Sequence, residues 1–231
     1  MNILRIATIV LLLIPLACAG EQEGLTGTWT YDILVNGENI GISRTTIESK
    51  GNTWVITTTM DVETGTVSNS VWHRIIEEKG TFRPVEISLK NVIRQGDMEE
   101  TVKTRATFHG QKVELHEDGK KRTVTLEEDF HLDGNYLLDH IRKEGLTPGT
   151  VYSTRIYDPS LEPDTTIPVR VEVKGTKTMN FRGEEKQLFH VTQKIKNLKY
   201  IDMYMDSRGL LYRAEIVMLN NRLELVLKDG E

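Results

Sequence analysis

Trp29-Thr-Tyr-Asp-Ile-Leu-Val-Asn-Gly-Glu-Asn-Ile-Gly-Ile-Ser43 reads as two β-strands and the turn between them. Leu25, Gly27, Trp29, Tyr31, Ile33 and Val35 alternate with Thr26, Thr28, Thr30 and Asp32. A period of two places alternate side chains on one face of a strand. Asn36-Gly37 tolerates the positive φ angles of a tight hairpin turn, and Ile40 to Glu48 runs back.

The same rhythm continues outward from this hairpin. Trp54, Ile56, Thr58, Met60 and Val62 line one face of the next strand, Gly65 punctuates it, and Val67 to Glu78 follows. Val85, Ile87, Leu89, Asn91 and Ile93 alternate with Glu86, Ser88 and Lys90. Asp97 to Phe108, Val113 to Glu117 and Arg122 to Glu127 extend the meander, with reversals at Gly96, Gly110 and Gly119. After residue 166, Ile167, Val169, Val171 and Val173 alternate with charged residues. Lys186 to Ile195, Tyr200 to Asp206 and Leu210 to Leu219 follow, and Leu223, Leu225 and Leu227 share a face of the closing strand. Short strands joined by tight turns predict an all-β fold: a curved antiparallel sheet forming a barrel or half-barrel.

One segment breaks the period. Tyr136, Leu137, Leu138 and Ile141 have helical spacing between Asp133, a candidate N-cap, and Gly145, a candidate stop. This predicts one short helix over Asp133–Glu144. Its apolar stripe must cover apolar surface, and the concave side of the sheet is the nearest. Pro148, Pro159, Pro163 and Pro168 then force a looping connection.

The first residues, MNILRIATIVLLLIPLACAG, have the layout of a secretory signal: Arg5, an apolar run from Ile6 to Ala17, then small residues. Two processing routes are open. Ala17 directly before Cys18 fits a bacterial lipobox, although Pro15 is unusual in it; Ala17-Cys18-Ala19 also fits ordinary cleavage. Cys18 is the only cysteine and has no partner for an intramolecular disulfide. We therefore expect a lipoprotein acylated at Cys18 and tethered to a membrane. Ala19 carries no acidic retention signal, so in a Gram-negative host the outer membrane is the expected site, with a soluble periplasmic or secreted protein as the alternative. The expected organisation is a signal over residues 1–19, a tether over 20–25 and one β-rich domain over 26–231.

The formal net charge of −5 becomes −6 once Arg5 is removed, and charges of both signs are interspersed. No basic cluster marks a nucleic-acid surface, so no such partner is expected. With no thiol beyond Cys18, thiolate catalysis and thiolate metal sites are excluded. His116-Glu117-Asp118 reads as a solvated hairpin tip, and His140 as a helix-face residue without a role beyond solvation. Asp158 and Asp164 bracket a proline loop and read as turn-forming. No G-x-S-x-G or S-x-x-K motif is present. No enzyme activity, cofactor or metal is expected.

Trp29, Tyr31, Trp54, Met60, Trp72, Met203, Tyr204 and Met205 fall on predicted strands. Those on the inward face are packing residues or the wall of an apolar cavity. Trp29, Tyr31, Trp54 and Met60, with Leu137 and Leu138 of the helix, are the candidate ligand-binding residues. The expected function is to bind or carry an apolar ligand, lipid or lipoprotein-like, in the cell envelope. The alternative is a non-catalytic interaction module that contacts an envelope protein through a sheet edge or the Pro148–Pro168 loop.

The opening hairpin resembles the start of an uncharacterised bacterial periplasmic β-rich family, similar to the module preceding some bacterial transglutaminase-like domains. Gly145-Leu-Thr-Pro-Gly149 with Tyr157-Asp-Pro-Ser-Leu161, and Met205-Asp-Ser-Arg-Gly-Leu-Leu211, resemble two further passages of it. The resemblance implies a β-rich barrel or half-barrel of unassigned role. Similar shapes serve periplasmic lipoprotein carriers, whose curved sheet holds acyl chains under a helical lid. No cysteine follows Cys18, so the catalytic Cys-His-Asp set is not expected.

Overall fold

The computed structural model describes residues 26–127, 129–132, 137, 140, 144–196, 199–218 and 221–230. Cys18, the expected tether, Asp133 and Leu138 lie outside the described residues. The strands are β1 (Gly27–Val35), β2 (Glu38–Lys50), β3 (Thr53–Thr64), β4 (Val67–Glu78), β5 (Pro84–Gln95), β6 (Met98–His109), β7 (Lys112–Glu117) and β8 (Lys120–Thr125). The second half adds β9 (His131–Leu132), β10 (Val151–Tyr157), β11 (Ile167–Phe181), β12 (Glu184–Ile195), β13 (Lys199–Met205), β14 (Leu211–Met218) and β15 (Asn221–Gly230).

All fifteen form one sheet, in the order β8-β7-β6-β5-β4-β3-β2-β1-β15-β14-β13-β12-β11-β10-β9. The first and last strands are neighbours at its centre, and each half meanders outward from them. The Asn36-Gly37 turn is as the sequence predicts, with φ of 53° and 83°. One pairing departs from the antiparallel expectation. β9 runs parallel to β10, because the helical segment intervenes between them and returns the chain in the same direction.

The sheet is curled, and its register shifts show how. β1 carries one irregularity against β15 at Thr30/Tyr31 and another against β2 at Ile33/Leu34. Bulges increase local twist and bend the strand. Gly41 lies on the inward face beside the second of these, and a Cβ there would meet the backbone of Asp61 and come within 2.9 Å of Val62 Cα. Only glycine allows β2 and β3 to approach so closely.

The curl carries the sheet past simple closure. β9, at one edge, touches β5 of the opposite half. Phe108, on the inward face of β6, meets Tyr157 of β10 with ring centroids 5.9 Å apart, and Phe130 contacts both at 5.8 and 5.7 Å. Ile156 and Tyr157 point to opposite faces of β10, yet both are fully buried. The end of β10 is therefore covered on both sides, where the two halves overlap.

Helical structure is present where the spacing predicts it: Leu137, His140 and Glu144 are helical. Gly145 follows with φ +72°, the left-handed conformation that ends a helix. Leu137 is fully buried in the main core.

Leu225 pairs with Ile33 on one side and Ala214 on the other, and is 1% exposed. Leu225→Ala is expected to destabilise the fold by about 2–5 kcal/mol, as large-to-small core changes do, measured by urea unfolding. A loss under about 1 kcal/mol would show that the central seam does not hold the halves together.

Candidate functional site

Strand register sorts the concave face of β1 to β7 into layers. One layer reads Ile47, Ile56, Ile75, Ile87, Ala106 and Leu115 from β2 to β7, every member buried. It is a closed apolar floor. The next layer reads Trp29, Thr45, Thr58, His73, Leu89 and Thr104. The one after it reads Tyr31, Ser43, Met60, Val71, Asn91 and Val102. Beyond lie Ile33, Gly41, Val62, Asn69 and Ile93.

The middle layers form a buried polar band. Ser43 and Thr45 are fully buried; Thr58, Asn69, Asn91 and Thr104 are buried as well. Thr45 and Thr58 satisfy each other, hydroxyl to hydroxyl at 3.0 Å. Ser43 Oγ and Asn91 Oδ1 have no hydrogen-bond partner among the described residues. His73 lies between Thr58 and Leu89, and burial lowers its imidazole pKa from 6.5 to about 4. It is therefore neutral at ordinary pH. Buried polar groups normally find partners, so this band is the feature of the interior least explained by packing alone.

The sequence-predicted residues gather around it. Trp29, Tyr31 and Met60 face inward and are buried. Trp54 lies on the same face at the far end, opposite Glu77, and packs half-buried against the core. Lys79 Nζ lies 5.0 Å from the Trp54 ring centroid, a cation–π contact. Met203 and Met205 are buried in the core of the other half. Trp72 and Tyr204 lie on strands as expected but on the outer face: Trp72 is 38% exposed, and Tyr204, itself buried, pairs with the outward Arg213. An odd or even position on the strand decides the face.

His140 corrects an expectation. Its ring stacks on Tyr152 of β10, centroids 3.8 Å apart, and its side chain is only 10% exposed. Tyr152 pairs with Val171 on the inward face, so His140 lies over the concave side of the C-terminal half. His116 is exposed at a hairpin, as expected.

The proline loop is pinned. Asp158 accepts hydrogen bonds from Ser160 N at 2.8 Å and Ser160 Oγ at 2.6 Å, the expected Asx turn. Burial pushes its carboxyl pKa up, while those bonds and the Lys199 charge oppose the shift. Tyr157 Oη donates to Pro163 O at 2.9 Å, and Asp164 pairs with Arg122 of β8. Among the described residues, no group of three His, Cys, Asp or Glu is placed to hold a metal ion.

No family model matches the sequence, and no curated protein matches it significantly. Solved structures do share its shape. A β-barrel-like protein of a domain of unknown function (DUF1849) from Brucella abortus superposes with a TM-score of 0.67 at 12% identity, over 90% of this chain and 98% of that one. A DUF1089-family protein from Pseudomonas aeruginosa gives 0.41 at 12% identity, over 84% and 92%. A protein with a YmcC-like fold from Bacteroides fragilis gives 0.35 at 8% identity, over 94% and 100%. At such identities the first likeness establishes a β-barrel-like fold and nothing further, and the other two carry no argument.

Sequence reading missed Ser43, Asn69, His73 and Asn91 as a group. A signal was present, since Thr58 and Asn91 sit in alternations whose other members are apolar.

His73 sets a pH dependence. Its folded pKa lies below its unfolded value, so the unfolded chain binds the extra proton between pH 6.5 and about 4. Its contribution is complete above pH 6.5 and is lost as pH falls through that window. The loss is on the order of 3 kcal/mol. His73→Gln should flatten the dependence, read as unfolding free energy in urea at pH 7 and pH 4.5. An unchanged slope in the variant would assign the acid sensitivity elsewhere.

Proposed function

We propose that the concave face of the β-barrel binds an apolar or amphipathic ligand of the cell envelope, with the helical segment covering part of the opening. The observation that carries this reading is the joint placement of Trp29, Tyr31 and Met60 with the unpartnered Ser43 Oγ and Asn91 Oδ1 on one buried face. Aromatic and methionine walls with a few convergent polar groups are the usual lining of a small-molecule site. The β-barrel-like fold supports the reading by supplying an enclosed concave surface. Export and acylation of Cys18 belong to the same proposal, and would put the barrel beside a membrane that holds such ligands.

An interaction module is the second reading. One observation favours it: Tyr200 and Val217 are cross-strand partners on the outer face, 40% and 50% exposed. A pair of that size is ordinary on a soluble surface. Of the Pro148–Pro168 segment, the other expected contact surface, Val151–Tyr157 is strand β10 of the sheet, and the turn after it is bound to the barrel through Tyr157–Pro163 and Arg122–Asp164. The interior is therefore the better-supported site.

Nile red, an uncharged apolar dye, should bind the purified mature protein with a blue-shifted emission. Met60→Trp, which fills the concave face, should weaken binding by about tenfold, roughly 1.4 kcal/mol, with the circular dichroism of the parent retained. Native mass spectrometry of protein extracted from membranes should show a retained lipid. Absence of both dye binding and retained lipid would favour the interaction module.

Cys18→Ala should move the protein from the membrane fraction to the soluble fraction. A wild-type protein found soluble, with an N-terminus at Gly20, would replace acylation with ordinary signal cleavage.

A further inference from the structure

Ser43 and Asn91 belong to the same layer of the concave face, on β2 and β5. Asn69 and His73 are the diagonal neighbours of Asn91 on β4, two residues either side of its partner Val71. Diagonal cross-strand neighbours are within reach of one another's side chains. Asn69, His73 and Asn91 thus adjoin one another, while Ser43 continues the same layer on the far side of Val71 and Met60; all are uncharged, and Ser43 Oγ and Asn91 Oδ1 are unpartnered among the described residues. Serine hydroxyl and asparagine amide each offer donor and acceptor capacity.

What flanks the cluster limits what can sit there. On one side lies the apolar floor of Ile47, Ile56, Ile75 and Ile87. On the other are Val62 and, toward the β3–β4 and β5–β6 turns, Val67 and Ile93, all buried. A molecule spanning the face meets apolar surface, then hydrogen-bonding groups, then apolar surface again. That order suits a polar linkage set between hydrocarbon segments.

The charge pattern limits it further. No lysine or arginine is buried on β1 to β6, and the one buried charged residue of those strands among the described residues is acidic, Glu77. The buried Lys199 of β13 lies in the field of the buried Asp158, which it faces electrostatically. His73 is neutral through loss of solvent and supplies no cation. An anion brought into this face would lose its hydration with no opposite charge to replace it, a large cost.

We propose that the concave face takes the uncharged ester and hydroxyl groups of a neutral acylated lipid, an acylglycerol, in preference to the carboxylate or phosphate of an anionic lipid. The proposal rests on the reading of this face as a ligand site and specifies the ligand's chemistry. Ser43 and Asn91 are the groups that hydrogen-bond the linkage.

The test is displacement of Nile red by dioctanoylglycerol and by dioctanoyl phosphatidate, which share acyl chains and differ in the phosphate. Dioctanoylglycerol should displace the dye at a concentration at least about tenfold lower, the cost of one uncompensated polar or charged group. Ser43→Ala combined with Asn91→Leu should raise the dioctanoylglycerol concentration needed for displacement about tenfold, with the preference over phosphatidate, which comes from the missing counter-charge, retained, and with the melting temperature unchanged or raised, because Ser43 Oγ and Asn91 Oδ1 have no partner among the described residues. A lowered melting temperature with dioctanoylglycerol displacement unchanged would make the pair structural and overturn the assignment. So would phosphatidate displacing the dye as well as dioctanoylglycerol does. Trp72→Ala, on the outer face, should behave as the parent. Because dye binding is measured before displacement, failure of the ligand site itself is seen separately: no dye binding removes both readings, whereas dye binding without lipid preference removes only this one.

Discussion

The pairing of the first strand with the last is the constraint on which the architecture depends. Tyr31 lies opposite Leu227 and Ile33 opposite Leu225, and this seam joins the two halves of the sheet. Most other pairings link strands adjacent in sequence through a short turn, and so close small loops. The β1–β15 pairing closes nearly the whole domain. Loop-closure entropy grows only with the logarithm of length, so the cost is tolerable, but it falls late in folding. The compensation is burial: Tyr31 and Ile33 have no exposed surface. Without the seam, β1 and β15 would each present an unpaired apolar edge, the configuration that promotes aggregation.

Curling and overlap then follow from size. Strands twist, and an open sheet of fifteen cannot stay flat. Bulges on β1 place extra bend at the centre, and the edges come round until β6 and β10 share the Phe108–Phe130–Tyr157 cluster. Overlap also disposes of the two edges. β9 is two residues long and lies against β5. β8 carries Lys120, Lys121 and Arg122, and charged side chains of that kind discourage pairing with another chain.

Much of this was legible from local pattern. The Asn36-Gly37 turn, the period-two strands and the inward face of Leu223, Leu225 and Leu227 all follow from short-range rules. Leu223 is partly buried, while Leu225 and Leu227 are buried. What was not legible depends on register between strands. The face of Trp72 is one case: it falls on a strand, and only the burial of its neighbours Val71 and His73 shows that it points outward. The polar band is a second case. Thr58 looks like an isolated exception within an apolar row, as does Asn91. Only by counting back from the Thr64–Val67 pair at the Gly65 turn does His73 come opposite Thr58, and only through Val71 does Asn91 join the layer of Ser43. His140 needed tertiary knowledge of a different kind, since nothing near it in sequence announces Tyr152.

The layered interior also bears on how the site discriminates. The isoleucine layer shows that this chain can build a closed apolar stratum from the same strands, so the polar residues above it are not forced by the fold. Each unpartnered buried group costs about 1–3 kcal/mol, against a total stability that is typically 5–15 kcal/mol for a domain. A ligand that completes those hydrogen bonds recovers the cost, and one that lacks the matching group leaves it standing. Apolar walls discriminate weakly between chains differing by a methylene, whereas buried polar groups reject a mismatched partner strongly. On the proposed reading, selectivity therefore resides in the linkage that meets Ser43 and Asn91. Acyl chain length, read only by isoleucine, valine and methionine side chains, is sensed loosely.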